Sequence, residues 1–433
     1  MNPELQRNLW LEASPSRLLL IAGLLLLVFA AASVAPQGLA TPSGTALALY
    51  WFFAVLWGTR SAAQSVVVEI RERTWDSQKL SSIGPWEMVW GKLFGATAAN
   101  WFGALICLPF VLLHAAHDTS VASAAIYGMI LLSLGVFAQG VALLSSLVLI
   151  RRNTGNWRLD IFLCQVAGIG AAFTYYSLWS SVPAFERSGT SSIDWWGHAF
   201  NLTSFHLVSL LVFLAWALVG CWRVMRAELR FANGPYVWLA YLAYGAIYCA
   251  GFESWIGHRL NMPGDGEPVT AKLALAGLSL LAATYSMAFL EPKDPVRLRW
   301  LGEQIRAGRA HQAFLALDCW MLSYAATLLV GLLLAAIWAA GGKDGALIVL
   351  AVLGFLTRDV AIFVLMQGRA GGKGDFAALG ILGALYLLMP TLLAGLHLQA
   401  LNFLVMPSGP LAAIAAWAEG LACAYLALSR IAR

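Results

Sequence analysis

The sequence predicts an all-α, polytopic membrane protein, and two observations support this prediction. The chain has 433 residues, of which 60% are hydrophobic and only 11% are charged, whereas a soluble domain carries about 25% charged residues. Apolar runs of about 20 residues, the length that crosses the hydrocarbon core as a helix, recur along the chain. Because unpaired backbone groups are not tolerated in lipid, these runs should be helical.

About twelve such runs follow one another along the chain. They lie near 18–35, 45–68, 93–114, 122–150, 159–180, 205–226, 236–256, 271–290, 312–340, 345–367, 375–398 and 409–429. The first five and the seventh to eleventh runs have similar spacing, and each set has its longest polar segment, 69–92 or 291–311, between its second and third members. The sequence therefore divides into two six-helix halves, residues 1–230 and 231–433, of which the second is either a parallel repeat or an accessory bundle.

Lysine and arginine residues are concentrated in the loops on one face of the predicted bundle. The positive-inside rule assigns that face to the cytoplasm and makes both termini cytoplasmic. The net charge of +5 then reflects topology, and we expect no nucleic-acid partner. The six cysteines and seven histidines are dispersed without C-x-x-C or H-E-x-x-H spacing, so the sequence predicts no metal and no cofactor in this chain.

The segment 69–92, between the second and third predicted helices, combines charged and aromatic residues. Pro85 suits the first turn of a helix, where its missing N–H is not needed. Trp86 and Trp90 are four residues apart and share one helix face as interfacial anchors. The charged run before Pro85 can form a short amphipathic helix on the cytoplasmic membrane surface, and a solvated loop with an aromatic belt is the alternative.

The same segment contains a recognisable order of residues. In order they are Glu72-Arg73, Thr74, Asp76, Pro85-Trp86-Glu87 and Gly91-Lys92. This order, at this position, resembles the permease subunits of ABC-2 type exporters, and the opening residues 2–12 are similar to the amphipathic connecting helix with which such permeases begin. The resemblance covers about residues 1–230. The chain departs from the family at Arg73, where Gly is common, and in its number of helices, for which six is common.

The resemblance implies that 69–92 is a coupling helix received by a cleft on a cytoplasmic ABC ATPase subunit. The residues concerned are Glu69, Glu72, Arg73, Thr74, Trp75, Asp76, Pro85, Trp86, Glu87, Gly91 and Lys92. The chain has no G-x-x-x-x-G-K-[ST] loop to hold phosphates, so ATP and Mg would be bound by the partner and this chain would be a permease, not an enzyme. The family also implies a homodimeric or heteromeric complex in the bacterial inner membrane.

Family permeases place short extracellular helices between their fifth and sixth spans, where this chain has the outer segment 181–204. The tryptophans in or beside this segment are Trp179, Trp195 and Trp196. Because tryptophan is enriched at the membrane interface, we expect these residues to anchor a partly helical extracellular cap.

Five ionisable residues fall well inside predicted spans, namely Arg60, Asp318, Arg358, Asp359 and Glu419. Each would cost at least about 2.5–3.5 kcal/mol if it faced lipid at the helix centre, so we expect all five to face the bundle interior and to pair. Arg358 and Asp359 point about 100° apart, and each should find its partner on another helix. Such a layer either fixes helix packing or lines a substrate route or gate.

The leading function is therefore the membrane subunit of an ABC-2 type exporter that moves a hydrophobic or amphipathic substrate outward. An ion-coupled secondary transporter is the alternative, with Asp318 and Glu419 as proton sites. Against it, the segment 69–92 does not resemble the G-x-x-x-D-R-x-G-R-R loop of the major facilitator family. A third interpretation is a non-transporting anchor that transmits ATPase movement to another envelope protein.

Overall fold

The computed structural model describes residues 2–34, 41–81, 83–150, 157–185, 192–253, 268–342, 345–370 and 374–432. The chain divides into two compact units. The first comprises Met1–Ile193 and Phe200–Asn233, and the second comprises Asp194–Ala199 and Gly234–Arg433.

The first unit is built mainly of helices. In chain order the elements are α1 (Pro3–Glu12), α2 (Pro15–Val34), α3 (Pro42–Tyr50), a π turn (Trp51–Trp57), α4 (Gly58–Arg71), α5 (Trp75–Lys79), α6 (Pro85–Trp90), a second π turn (Gly91–Gly95), α7 (Ala98–Asp118), α8 (Val121–Ile150), α9 (Trp157–Phe185) and α10 (Leu202–Glu228). Two strands, β1 (Ser192–Trp195) and β2 (His198–Asn201), pair as a hairpin between α9 and α10.

The described part of the second unit is helical apart from the hairpin tip. Its elements are α11 (Tyr236–Ala250), α12 (Pro268–Leu290), α13 (Pro295–Arg306), α14 (Ala310–Leu315), α15 (Cys319–Ala340), α16 (Gly345–Ala370), α17 (Gly374–Gly383), a π turn (Ala384–Leu388), α18 (Met389–Gly395), a 3-10 turn (Gln399–Leu404) and α19 (Pro410–Ala432).

Ten helical segments within the described ranges are long and apolar enough to cross a membrane. They are α2, α7, α8, α9, α10, α12, α15, α16, the run formed by α17 and α18, and α19. The two other predicted spans correspond to the helical run over 42–71, which a π turn interrupts, and to α11, which has 15 residues. The element order thus follows the predicted order of apolar runs.

The π turn Trp51–Trp57 departs from the i→i+4 hydrogen bonding of an α-helix, and two of its carbonyl groups accept bonds from neighbouring helices. Two glutamines of neighbouring helices donate to them. Gln139 of α8 bonds the Ala54 carbonyl at 2.8 Å, and Gln165 of α9 bonds the Leu56 carbonyl at 2.9 Å. These interhelical bonds hold the π turn and the start of α4 against α8 and α9.

The buried core of the first unit includes the segment between α4 and α7. The fully or nearly fully buried residues of this hydrophobic core are Ala62, Val66, Trp75, Met88, Val89, Leu93, Ala142, Leu143, Leu147, Cys221 and Met225. Because Trp75 belongs to α5, and Met88 and Val89 belong to α6, these short helices are packed elements. The alternative of a solvated loop is therefore wrong.

In the second unit, α16 is the most buried of the candidate spans. Small residues let it approach α19 closely: Ala351, Ala412 and Ala416 are fully buried, and an added Cβ at Gly354 would lie 2.8 Å from the backbone of Ala416. Close approach through small residues is a common way for membrane helices to associate. This contact fixes α19 against α16 and so positions Glu419 near Arg358.

Two sequence predictions about elements are wrong. The span expected at 312–340 begins only at Cys319, because α14 is a separate short helix. The partly helical cap expected over 181–204 is instead a β-hairpin at residues 192–201, and residues 186–191 of this segment lie outside the described residues. Its turn residues Trp196 and Gly197 both have positive φ, 53° and 72°, as a two-residue hairpin turn of type I′ requires.

Candidate functional site

The segment after α4 begins with a tight turn. The Thr74 N–H donates to the Glu69 carbonyl at 2.9 Å and the Arg73 N–H donates to the Ile70 carbonyl at 3.1 Å, the two bonds of a Schellman motif. Arg73 has φ 58°, in the left-handed region that glycine occupies without strain. Glycine at this position would therefore adopt the same backbone conformation without strain.

A fully buried lysine lies beneath this turn. The Lys92 ammonium forms ion pairs with Glu69 and, at 3.2 Å, with Glu4. It also contacts the Gln78 side-chain oxygen at 3.2 Å and lies 5.1 Å from the centre of the Trp75 ring. The ammonium is thus surrounded by two carboxylates, an amide and an aromatic face, which compensate for its removal from water.

Arg7 completes this group, which we call the lysine cluster (Glu4, Arg7, Glu69, Gln78 and Lys92). Its guanidinium pairs with Glu4 at 3.0 Å and with Glu69, and Gln78 donates to Glu69 at 2.7 Å. Two carboxylates face two cations, so the cluster is neutral overall. Its members come from α1, α4, α5 and the second π turn, and the cluster therefore ties four elements together.

Helix α1 is docked on the second π turn at very short range. Asn8 donates to the Gly91 carbonyl at 3.2 Å. An added Cβ would lie 2.8 Å from the Leu5 backbone nitrogen at Gly91 and 2.6 Å from the Asn8 Cβ at Gly95. Glycines four residues apart on one helix face thus form the flat surface on which α1 rests.

The residues that the resemblance assigned to coupling divide into two sets. One set holds the segment in place: Trp75, Gly91 and Lys92 are buried, and Glu69, whose side chain is 13% exposed, pairs with Lys92. The exposed set is Glu72, Arg73, Thr74, Asp76, Trp86 and Glu87, and Pro85 is half-buried at the first turn of α6. Leu80, between α5 and α6, is 89% exposed. The segment is therefore anchored from within and presents a mixed polar and apolar outer face.

Arg60 differs from its prediction. It is exposed, and within the described ranges no ion pair or hydrogen bond engages its guanidinium. The helical register of α4 explains this, because Thr59, Ala62 and Ala63 face the protein interior while Arg60 and Gln64, four residues apart, lie on another face. That face lines a cavity of about 890 Å³ bounded by α1, α2, α4 and α7.

Three of the predicted intramembrane charges do come together, in the second unit. Arg358 binds Asp359 at 3.0 Å and Glu419 at 2.7 Å. Tyr386 accepts from Arg358 at 3.0 Å and donates to Asp359 at 2.7 Å, and Tyr285 donates to the same carboxylate oxygen at 2.7 Å. Arg358 and Asp359 therefore bond each other as well as partners on other helices, and both carboxylate oxygens of Asp359 are satisfied.

Asp318, predicted to belong to this layer, lies elsewhere. It precedes α15 and pairs with Arg297 of α13 at 2.9 Å. Burial raises the pKa of Asp318 above its ordinary value, while Arg297 and Lys293 act in the opposite direction. The prediction that Asp318 lies inside a span is wrong, because α14 ends at Leu315 and α15 begins only at Cys319.

The three tryptophans expected in the outer cap belong to different units. Trp179 stacks on His206 in the first unit, with ring centres 5.1 Å apart. In the second unit, the indole N–H groups of Trp195 and Trp196 donate to the carbonyls of Tyr248 and Ile247 at 3.1 Å and 3.3 Å. The hairpin tip is thus bonded to the end of α11.

Sequence reasoning missed the partners that complete these sites. Glu4, Arg7 and Asn8 hold the first segment, and Tyr285 and Tyr386 complete the second network. The glycine spacing at Gly91-x-x-x-Gly95 is a signal for a close helix contact, but the two tyrosines leave no comparable signal in the sequence.

The described helices define the class of the protein, an all-α, multi-pass membrane protein. No family model, no curated protein and no solved structure matches the chain. Within the described ranges, no group of three or more histidine, cysteine or carboxylate side chains is arranged to hold a metal ion.

Proposed function

We propose that this chain is the transmembrane subunit of an ATP-driven, ABC-2 type export system, with ATP and Mg bound by separate cytoplasmic ATPase subunits. The proposal takes the chain to have twelve spans, with both termini and the segment 69–92 in the cytoplasm of a bacterial inner membrane. The lysine cluster is the observation that carries it, together with the residue order of the segment.

A coupling element has to transmit displacement in both directions, so it must be rigid towards its own subunit and exposed towards its partner. The lysine cluster and the buried Trp75 meet the first requirement. The exposed residues from Glu72 to Leu80 meet the second, since the Asp76 side chain is 85% exposed and Leu80 is nearly fully exposed. Because α1 shares the same cluster, movement of the segment would reach α2 through α1.

Photo-crosslinking from defined positions tests this proposal. A photoreactive amino acid is placed at Asp76 or Leu80, and at His117 or Val121 as exposed controls near the opposite end of α7. We expect a subunit with a G-x-x-x-x-G-K-[ST] loop to be crosslinked from the first pair and not from the second. The proposal would be contradicted if no such subunit were crosslinked from Asp76 or Leu80. It would also be contradicted if the crosslinking yield were the same from these positions and from the controls.

A second arm measures coupling. The triple variant Glu72→Ala, Thr74→Ala, Asp76→Ala removes exposed polar groups and leaves the lysine cluster intact. We expect normal membrane insertion but loss of ATPase association and of substrate-dependent ATP hydrolysis. The matched control, His114→Ala, His117→Ala, Asp118→Ala, should behave as wild type. If the triple variant retains wild-type association and transport, the segment has no part in coupling.

A further inference from the structure

We propose that the cavity around Arg60 binds an anionic phospholipid of the surrounding membrane, with the headgroup on Arg60 and the acyl chains against α2. This inference does not depend on the export function. It requires only that α2 and the helical run over 42–71 lie in the membrane.

The first argument is the unmatched charge of Arg60. The residue lies about 14 Å along the helix axis from Glu69, roughly half the depth of a hydrocarbon core of about 30 Å. Three carboxylates line the cavity. Glu12 pairs with Arg17, and Glu69 pairs with Lys92 and Arg7. Glu72 is twelve residues from Arg60, which is about 18 Å along the helix axis. An exposed guanidinium at this depth is unfavourable without an anion.

The second argument is the chemistry of an arginine that faces an open cavity. A guanidinium offers several N–H donors in a planar fork that matches phosphate or carboxylate oxygens in pairs. Ser61 and Gln64 line the same cavity and can supply further hydrogen bonds to a headgroup. The polar part of the cavity therefore suits one compact anionic group.

The third argument is the apolar part of the cavity lining. Leu20 and Leu24 of α2 line the cavity together with Phe53 and Trp57. Leu20 and Leu24 are 65% and 51% exposed, so α2 leaves apolar surface uncovered along the cavity. A cation beside exposed apolar surface is the pattern that the anionic headgroup and the acyl chains of a phospholipid satisfy together. A volume of about 890 Å³ accommodates a headgroup with the first part of its chains.

Native mass spectrometry of the full chain, titrated with phosphatidylglycerol or phosphatidylcholine in detergent, tests the proposal. We expect the wild type and Arg60→Lys to bind phosphatidylglycerol in preference to phosphatidylcholine. Arg60→Gln should bind phosphatidylglycerol at least about fivefold more weakly, as expected for the loss of one cation at a lipid headgroup. Arg71→Gln, on the same helix but outside the cavity, should bind as wild type does.

Other outcomes overturn the proposal. Equal binding of the two lipids, or unchanged binding of phosphatidylglycerol by Arg60→Gln, would show that Arg60 does not bind the anionic headgroup selectively. Displacement of phosphatidylglycerol by millimolar inorganic phosphate would identify a site for the free anion. Leu24→Trp narrows the cavity and keeps the charge of Arg60, so it tests the proposal even if Arg60→Gln fails to fold. Weaker binding of phosphatidylglycerol by Leu24→Trp would support lipid binding in the cavity, and unchanged binding would contradict it.

Discussion

Lys92 is the most deeply buried charged residue of the contact between α1 and the proposed coupling segment. Its ammonium is fully buried between Glu4 and Glu69, and removing one member of a buried ion pair costs about 3–5 kcal/mol because the remaining charge is uncompensated. We therefore expect Lys92→Met to lower the midpoint of thermal unfolding in detergent. It should also expose α1 to trypsin at Arg7, which is read from the cleavage rate.

The cluster's charge balance provides a control for this prediction. In the double variant Lys92→Met, Glu69→Gln, only Glu4 and Arg7 remain charged, and they still pair. We expect the double variant to recover part of the lost stability. A double variant no more stable than Lys92→Met would show that the shape of the lysine side chain matters more than its charge.

The backbone at Arg73 gives a second prediction at the scale of one residue. A residue with a Cβ in the left-handed conformation is strained by about 1–2 kcal/mol, and glycine is not. We expect Arg73→Gly to be neutral or stabilising and Arg73→Val to be clearly destabilising, as measured by the unfolding midpoint. Equal losses in the two variants would mean that the arginine side chain, not the backbone, determines this position.

Variants of the Arg358 network in the second unit can distinguish a structural role of these residues from a role as a proton site. Arg358 is buried and has Asp359 and Glu419 as partners, whereas the Glu419 side chain is 34% exposed. Arg358→Met leaves the carboxylate of Asp359 buried without its cation, and we expect a loss of about 3–5 kcal/mol. Glu419→Gln should cost about 1 kcal/mol or less.

The same two variants test the secondary-transporter alternative. Thermal unfolding gives the stability change, and ion flux in proteoliposomes gives the function. Wild-type stability in Glu419→Gln combined with a proton flux that this substitution abolishes would favour ion coupling, and the network would then be a proton pathway.

Among the elements, the contact between α1 and the second π turn depends on two glycines. An added methyl group at Gly91 or Gly95 would overlap α1, so α1 would have to move away and the lysine cluster would open. We expect Gly91→Ala and Gly95→Ala to lower the unfolding midpoint and to expose α1 to trypsin. Gly170→Ala in α9 is the matched control, because nothing lies within 4 Å of its added Cβ.

If α1 stays docked in both glycine variants, so that its rate of trypsin cleavage is unchanged, this account of the contact is contradicted. It would mean that the lysine cluster alone holds α1, and that the short distances at the glycines relax without consequence.

These elements also show what sequence can and cannot predict. Pro85 at the first turn of α6 was predicted correctly, because a local rule governs helix starts. Counting residues along the sequence predicts how deep Arg60 and Asp318 lie in the membrane. It does not predict which face of α4 carries Arg60, nor that α14 ends and α15 begins on either side of Asp318. The Lys92 to Glu4 pair joins residues far apart in sequence, and no periodicity reports such a contact.

At the scale of the whole molecule, the two units differ in the features on which the proposed coupling to an ATPase depends. The first unit has a docked N-terminal helix, the lysine cluster and an exposed turn. The corresponding segment of the second unit, which contains α13, also has a buried lysine, Lys293, paired with Asp375 at 3.0 Å. It lacks the Pro-Trp-Glu and Gly-Lys residues of the first segment. The helices that precede it among the described residues of the second unit, α11 and α12, are apolar, unlike α1.

This asymmetry leads to the last prediction, the number of chains in the complex. ABC-2 permeases commonly work as two six-helix subunits, each of which offers one coupling helix to one of two ATPase subunits. If both units of this chain coupled, one copy would serve two ATPase subunits, and one of the two contacts would lack the lysine cluster. We expect two copies per two ATPase subunits, paired so that each first unit engages one ATPase, with residues 231–433 as an accessory bundle. Native mass of the detergent-solubilised complex measures this ratio, and one copy of the chain per two ATPase subunits would contradict the prediction and make α13 the second coupling element.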